Sequence, residues 1–133
     1  MSAPMTDLEE MLGSLDVVVR PGSFVFQSVE PGSPLVGQAQ AFVVEEEALT
    51  VVVTPAAARR QGLEPGAEFA WLTLTLNSSL EAVGLTAAFS TALGRAGISC
   101  NVLAGFHHDH LLVPLADREH AVIVLRDLGD QSH

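Results

Sequence analysis

His107, His108, Asp109 and His110 form the densest run of ionisable side chains in the chain. Imidazole and carboxylate groups are good ligands for zinc or nickel. In an extended segment His108 and His110 would share one face. Four adjacent residues around a tight turn rarely converge on one ion, however, and His120 is the one further imidazole that could approach in space. Asp109 is also an ordinary turn residue. Three readings stay open: a metal site, a plain turn, or a place in a ligand pocket or unit interface where His108 and His110 would make binding pH-sensitive.

A second constellation follows an alternating apolar run. Asn77, Ser78 and Ser79 precede Glu81, Val83, Gly84 and Leu85. In one reading Ser78 and Glu81 form a capping box, and Gly84 sits inside a helix at a cost of about 1 kcal/mol against Ala. In the other, residues 77–83 are a loop and the helix starts near Gly84. Its free N–H groups and the positive end of its dipole would then suit a carboxylate, and Gly84 would let the ligand approach the backbone. An amino acid ligand also needs an acceptor for its ammonium, which Asn77, Asn101 or Glu81 could provide. Asn101 reads equally well as a solvent-facing strand residue.

Several chemistries are disfavoured. The chain has no Lys and no Tyr, which removes Schiff-base catalysis and Lys-dependent phosphate loops. Ser78 and Ser79 lack a nucleophile elbow. Cys100, the single cysteine, lies in an apolar stretch and reads as a buried, inert thiol. No catalytic motif emerges, no cofactor is implied, and an enzyme is not expected. The net charge is −10, with 16 acidic residues against six arginines. Ten of the acids fall in residues 1–70. Such a surface repels phosphate backbones and anionic lipid, so neither nucleic acid nor membrane is an expected partner. Residues 1–10 are polar and acidic, unlike a secretory signal, and with one unpaired cysteine they point to a cytoplasmic protein.

The elements that must position these residues follow from pattern. Thr6 and Glu9 frame a capping box for a short helix carrying Leu8, Met11, Leu12 and Leu15. Residues 15–20 and 24–29 read as strands around a Pro21-Gly22 turn. Residues 30–34, with two prolines, read as a loop. Residues 39–44 and 49–53 could form a hairpin around Glu45, Glu46 and Glu47. Thr54-Pro55 opens a helix that Gly62 ends. Residues 69–76 are the clearest strand, with Leu72 and Leu74 on one face and Trp71 and Thr73 on the other. The longest helix follows, with Leu85, Phe89 and Leu93 in its buried stripe, and stops at Gly97. Residues 98–106 and 110–113 read as a strand pair. Asp117 opens a last helix with Ala121, Val122 and Leu125 inward. The second half thus reads β-α-β-β-α, a ferredoxin-like βαββαβ unit lacking its final strand. Two such units lending strands to each other would account for the whole chain.

The stretch from Leu72 through Val83-Gly84-Leu85 and Phe89 to Ala96-Gly97-Ile98-Ser99 resembles an ACT domain of the kind found in the regulatory regions of aspartate kinases. With His108-Asp109-His110 in the hairpin, the chain resembles the stand-alone bacterial proteins made of two ACT-like units. The resemblance implies an α+β fold of tandem ferredoxin-like (ACT-type βαββαβ) units, with antiparallel sheets and helices on one face. The N-terminal unit, residues 1–70, is the more divergent; the C-terminal unit spans residues 71–133. It implies a regulatory or sensory protein that binds a small molecule, usually an amino acid or related carboxylate, and works as a homodimer with ligands between units. By position, the contacts would come from Asn77, Ser78, Ser79, Glu81, Val83, Gly84 and Leu85, and from Ser99, Asn101 and Val102 on the following strand. A metal-binding protein using His107, His108 and His110, and a ligand-free assembly subunit, are the rival expectations.

Overall fold

A computed structural model of the 133-residue chain describes residues 15–75 and 83–130. The capping box expected at Thr6 and the candidate site residues Asn77, Ser78, Ser79 and Glu81 lie outside the described residues.

Strand β1 covers Asp16–Val19 and β2 covers Val25–Val29. Between them Gly22 turns the chain with a φ of 80°, a conformation that costs glycine nothing. After β2, the residues 30–34 read from sequence as a loop run into a 3₁₀ turn at Pro34–Gln38. Ser33 accepts the Leu35 N–H there, and the turn buries Leu35. Strands β3, Ala41–Val44, and β4, Leu49–Val53, form the expected hairpin. Helix α1 is Pro55–Arg60, capped by the Thr54 hydroxyl, which accepts from the Ala57 N–H at 3.2 Å.

Strand β5, Phe69–Thr75, leads to helix α2, Val83–Arg95. Strands β6, Asn101–Ala104, and β7, Asp109–Pro114, pair across a hairpin. Leu115–Asp117 form a 3₁₀ turn that runs into helix α3, Arg118–Asp130. Among the described residues α2 and α3 span 13 residues each. Both α1 and α2 end on a left-handed glycine, Gly62 and Gly97. In each, the N–H groups of the glycine and the next residue bond back into the last turn.

The strands form two antiparallel sheets. One has the order β1-β5-β7-β6, the other β2-β4-β3. In the first, β1 comes from the beginning of the chain and fills the place beside β5 that a βαββαβ unit would give its own last strand. The sheets are tied by a bridge in which Phe24 and Phe69 exchange two N–H···O bonds of 2.8 Å. The Gln27 amide donates to the carbonyls of Glu64 and Pro65, holding the segment before β5 near β2.

Side-chain alternation along the strands separates three apolar clusters. Leu72, Leu111 and Val113 face α2 and α3 and meet Phe89, Leu93 and Leu125. Val25, Val51 and Val53 face the other way, onto Leu35 and α1. Phe24, Val52, Trp71 and Leu112 pack between the two sheets. Each sheet therefore carries its helices on one face and meets the other sheet with its second face, an arrangement of tandem ferredoxin-like units.

Candidate ligand-binding site

The two sheets touch at Trp71 and Val52 but part beside them. A cleft of about 470 Å³ opens there, bounded by β3 and β4 on one side and by β5, β6 and the start of β7 on the other. Its floor is Trp71, buried to 2% exposure. Phe26, Ala41, Val52 and Leu103 give it apolar walls.

Three polar groups converge on the Trp71 indole. Arg20 follows β1, and its backbone N–H donates to the Trp71 carbonyl at 3.0 Å. Its side chain then lies over the same residue, with the guanidinium carbon 4.1 Å from the ring centroid. One terminal nitrogen donates to the Gln40 side chain at 2.9 Å. Among the described residues Arg20 has no carboxylate partner, so most of its five N–H donors are uncommitted. His110 pairs with Thr73 across β5 and β7 and sits on the Trp71 face of the sheet. Its Nδ1 lies 3.3 Å from Trp71 Nε1 and 2.9 Å from Thr73 Oγ1. An indole N–H can only donate, so Nδ1 must be an acceptor, and the proton of the neutral ring sits on Nε2. Burial, the Arg20 charge and His108 hold the His110 imidazole below its ordinary range, against a smaller opposing effect of Asp109. The ring is thus neutral near pH 7, with Nε2–H as a second donor left uncommitted among the described residues.

Gly105 explains how the imidazole fits. A Cβ at this position would stand 2.8 Å from the His108 carbonyl oxygen and 3.0 Å from His110 Nε2. The Gly105 N–H also donates to that carbonyl at 2.9 Å and closes the β6–β7 hairpin.

Of the residues singled out from sequence, the structure brings His110 and Val102 to the cleft. Ser99 and Asn101 are exposed and lie off it, and His108 is exposed in the hairpin turn, so His108 and His110 do not act as a pair on one strand face. Leu85 is buried in the core at 1% exposure. Val83 begins α2, and Gly84 is exposed beside it. Cys100 is half-buried against the core, and burial pushes its thiol pKa up, away from reactivity. Among the described residues no group of three or more His, Cys, Asp or Glu is placed to hold a metal ion. Sequence reasoning missed Arg20, Gln40 and Trp71 as a site. Arg20 looked like a strand end and Trp71 like one face of a strand; the one local signal was a lone tryptophan alternating with core leucines.

An ACT-domain model matches residues 3–70, and a second ACT-domain model matches residues 67–127. The chain belongs to the ACT-domain family. These are regulatory, small-molecule-binding domains, and the matches include no catalytic domain. Among curated proteins none matches. A Vibrio cholerae protein, described as of unknown function and a possible transport protein, is 38% identical to this chain. It superposes over 96% of this chain and 99% of its own with a TM-score of 0.86. An Agrobacterium tumefaciens protein shares the fold at 18% identity, covering 86% of this chain and 89% of its own, with a TM-score of 0.62. The allosteric aspartate kinase of Clostridium acetobutylicum shares it at 11% identity and a TM-score of 0.60, over 86% of this chain and 34% of the kinase. Among the described residues no helix is long and apolar enough to cross a membrane.

Proposed function

We propose that this chain is a cytoplasmic sensory module that binds an amino acid or related small carboxylate in the cleft between its two sheets. The observation behind this is Arg20, a guanidinium stacked on the floor of an apolar cleft with no carboxylate of the described residues against it, in a chain where acids outnumber bases. A ligand carboxylate would take the free donors of Arg20 and the Nε2–H of His110 while its apolar part lies against Phe26, Ala41 and Leu103 beside Trp71. The two units are taken as residues 1–70 and 71–133, so the ligand would bridge them. By bridging them it would favour one relative placement of the sheets, which is how binding would reach a partner protein.

We further propose that the active form is a homodimer. Strand β3 is a sheet edge on which Phe42, Val43 and Val44 are exposed by 56%, 48% and 73%. Unpaired apolar edges are liabilities unless covered. Val44→Lys should convert the dimer to monomer in sedimentation velocity; a wild-type chain already monomeric at tens of micromolar would end the dimer proposal.

The binding proposal is tested by a thermal-shift panel of amino acids and small carboxylates on wild-type and Arg20→Gln protein. At least one compound should raise the wild-type midpoint, and that rise should vanish in the variant. A panel with no response, or a response that Arg20→Gln leaves intact, would sink it.

A further inference from the structure

We infer that the cleft selects a small apolar carboxylate without an α-ammonium group, in preference to the α-amino acid of the same side chain. This deepens the proposed function and rests on the cleft being the ligand site.

The charge inventory of the cleft carries the inference. Among the described residues that line it, Arg20 and His110 are the ones able to bear charge, and neither sign nor position leaves a counter-charge for an ammonium. Both donors border the same indole, so a bound carboxylate is confined to their side of the cleft. In an α-amino acid the ammonium nitrogen sits within about 3 Å of its own carboxylate. Wherever the carboxylate meets Arg20, the ammonium is therefore held close to the guanidinium as well. Like charges at such a distance in a partly dehydrated cleft repel strongly.

Among the described residues two acids lie near enough to need excluding. Glu45 accepts a hydrogen bond from the Thr50 hydroxyl on the cleft rim. Thr50 stands two residues along β4 from Val52, and it is Val52 whose carbonyl accepts the Gln40 N–H beside Arg20. Glu45 is thus tied to a point about 7 Å along the strand from Val52, away from the Arg20 end where an α-ammonium would be anchored. Asp109 precedes His110 on β7 and pairs with Leu74, so alternation turns it to the helix side of the sheet. The free edges of β3 and β6 offer carbonyl oxygens, which accept hydrogen bonds but bring no charge to offset Arg20. The walls, by contrast, suit an apolar body: Phe26, Ala41, Val52 and Leu103 surround the Trp71 floor. Ligands of this class are 2-oxo, 2-hydroxy or unsubstituted carboxylates with an aryl or branched alkyl tail.

Trp71 is the single tryptophan of the chain, so its emission reports on the cleft alone. Full-length protein is titrated with 3-phenylpropionate and phenylalanine, and with 4-methylpentanoate and leucine. Within each pair the deaminated carboxylate should perturb Trp71 emission and bind about tenfold or more tightly than the amino acid. Arg20→Gln and His110→Gln, each checked for native circular dichroism, should both weaken the carboxylate and narrow the gap. If the amino acid binds as tightly as its carboxylate or more so, the inference is overturned while the cleft remains the ligand site. If neither member of either pair perturbs Trp71, the inference falls too, and only the broader thermal-shift panel can then rescue the cleft.

Discussion

The two sheets of this molecule have the same hairpin logic and very different foundations. The β1-β5-β7-β6 sheet rests on two helices of 13 residues each and a cluster of 13 buried apolar residues among those described. The β2-β4-β3 sheet rests on a five-residue 3₁₀ turn and a six-residue helix, with six buried residues beneath it. Burial of apolar area is the main favourable term in folding, so the smaller half has little to hold it alone. Its order depends on what the larger half lends: the Phe24–Phe69 bridge, and the cluster where Val52 meets Trp71 and Leu112. The cleft lies at that junction, with one firm wall and one compliant wall. A ligand that tightens the contact acts on the part of the fold most easily moved, which suits a sensor.

Packing variants test this asymmetry most severely. Phe89→Ala, at a fully buried site in the larger cluster, should cost about 3–5 kcal/mol in urea unfolding. Leu35→Ala, equally buried in the smaller cluster, should cost about 2–3 kcal/mol, because the thin layer around it can collapse into the space. Both variants should unfold in one transition, since the bridging cluster couples the halves. Two separated transitions in the wild type, or a Leu35→Ala cost equal to that of Phe89→Ala, would break the comparison.

The same asymmetry governed what could be read from sequence. In the larger half, alternation in β5, the stripe of Leu85, Phe89 and Leu93, and the stop at Gly97 each mark an element whose neighbours agree with it. In the smaller half, Thr54-Pro55 announced α1 through its cap, but the 3₁₀ turn at Pro34–Gln38 did not show, because five residues are too few for a period. The cleft was less legible still. Arg20, Gln40, Trp71 and His110 are brought together by strand pairing across the whole chain, and no local spacing encodes that. The His107–His110 run drew the eye as a cluster, whereas the fold divides it. His110 belongs to a strand face with Thr73 and Trp71, and His108 stays in the turn.

Gly105→Ala probes the firm wall with a smaller effect. The added methyl meets a backbone oxygen and the imidazole edge, and the backbone cannot swing aside as a side chain can. Overpacking of this kind should cost about 1–3 kcal/mol. Displacing His110 should also weaken the response to 3-phenylpropionate by several-fold. Gly84→Val, at an exposed position on α2, separates the cleft from the alternative site at the start of that helix. Affinity should be unchanged if the cleft holds the ligand and should fall if the residues expected to bind it before α2 do.

The smallest effect expected is also the most specific. In the ligand-free protein the His110 pKa is lowered, so the folded state resists a proton that the unfolded chain accepts near the ordinary imidazole value. The unfolded state therefore binds more protons from that value down to the lowered one. Stability should be fully present above the ordinary value and decline as pH falls through this window. Bulk water reaches part of the ring, so the decline should be smaller than either packing effect. A bound carboxylate reverses the local balance: its charge favours imidazolium and offsets the Arg20 repulsion. Affinity for 3-phenylpropionate should then rise as pH falls from about 8 to about 5.5, while ligand-free stability drifts the other way. Every histidine of the chain lies in the second half, so the opposed slopes belong to the firm wall, and His110→Gln should flatten both. Slopes of equal sign, or slopes that survive His110→Gln, would show that the carboxylate does not meet His110.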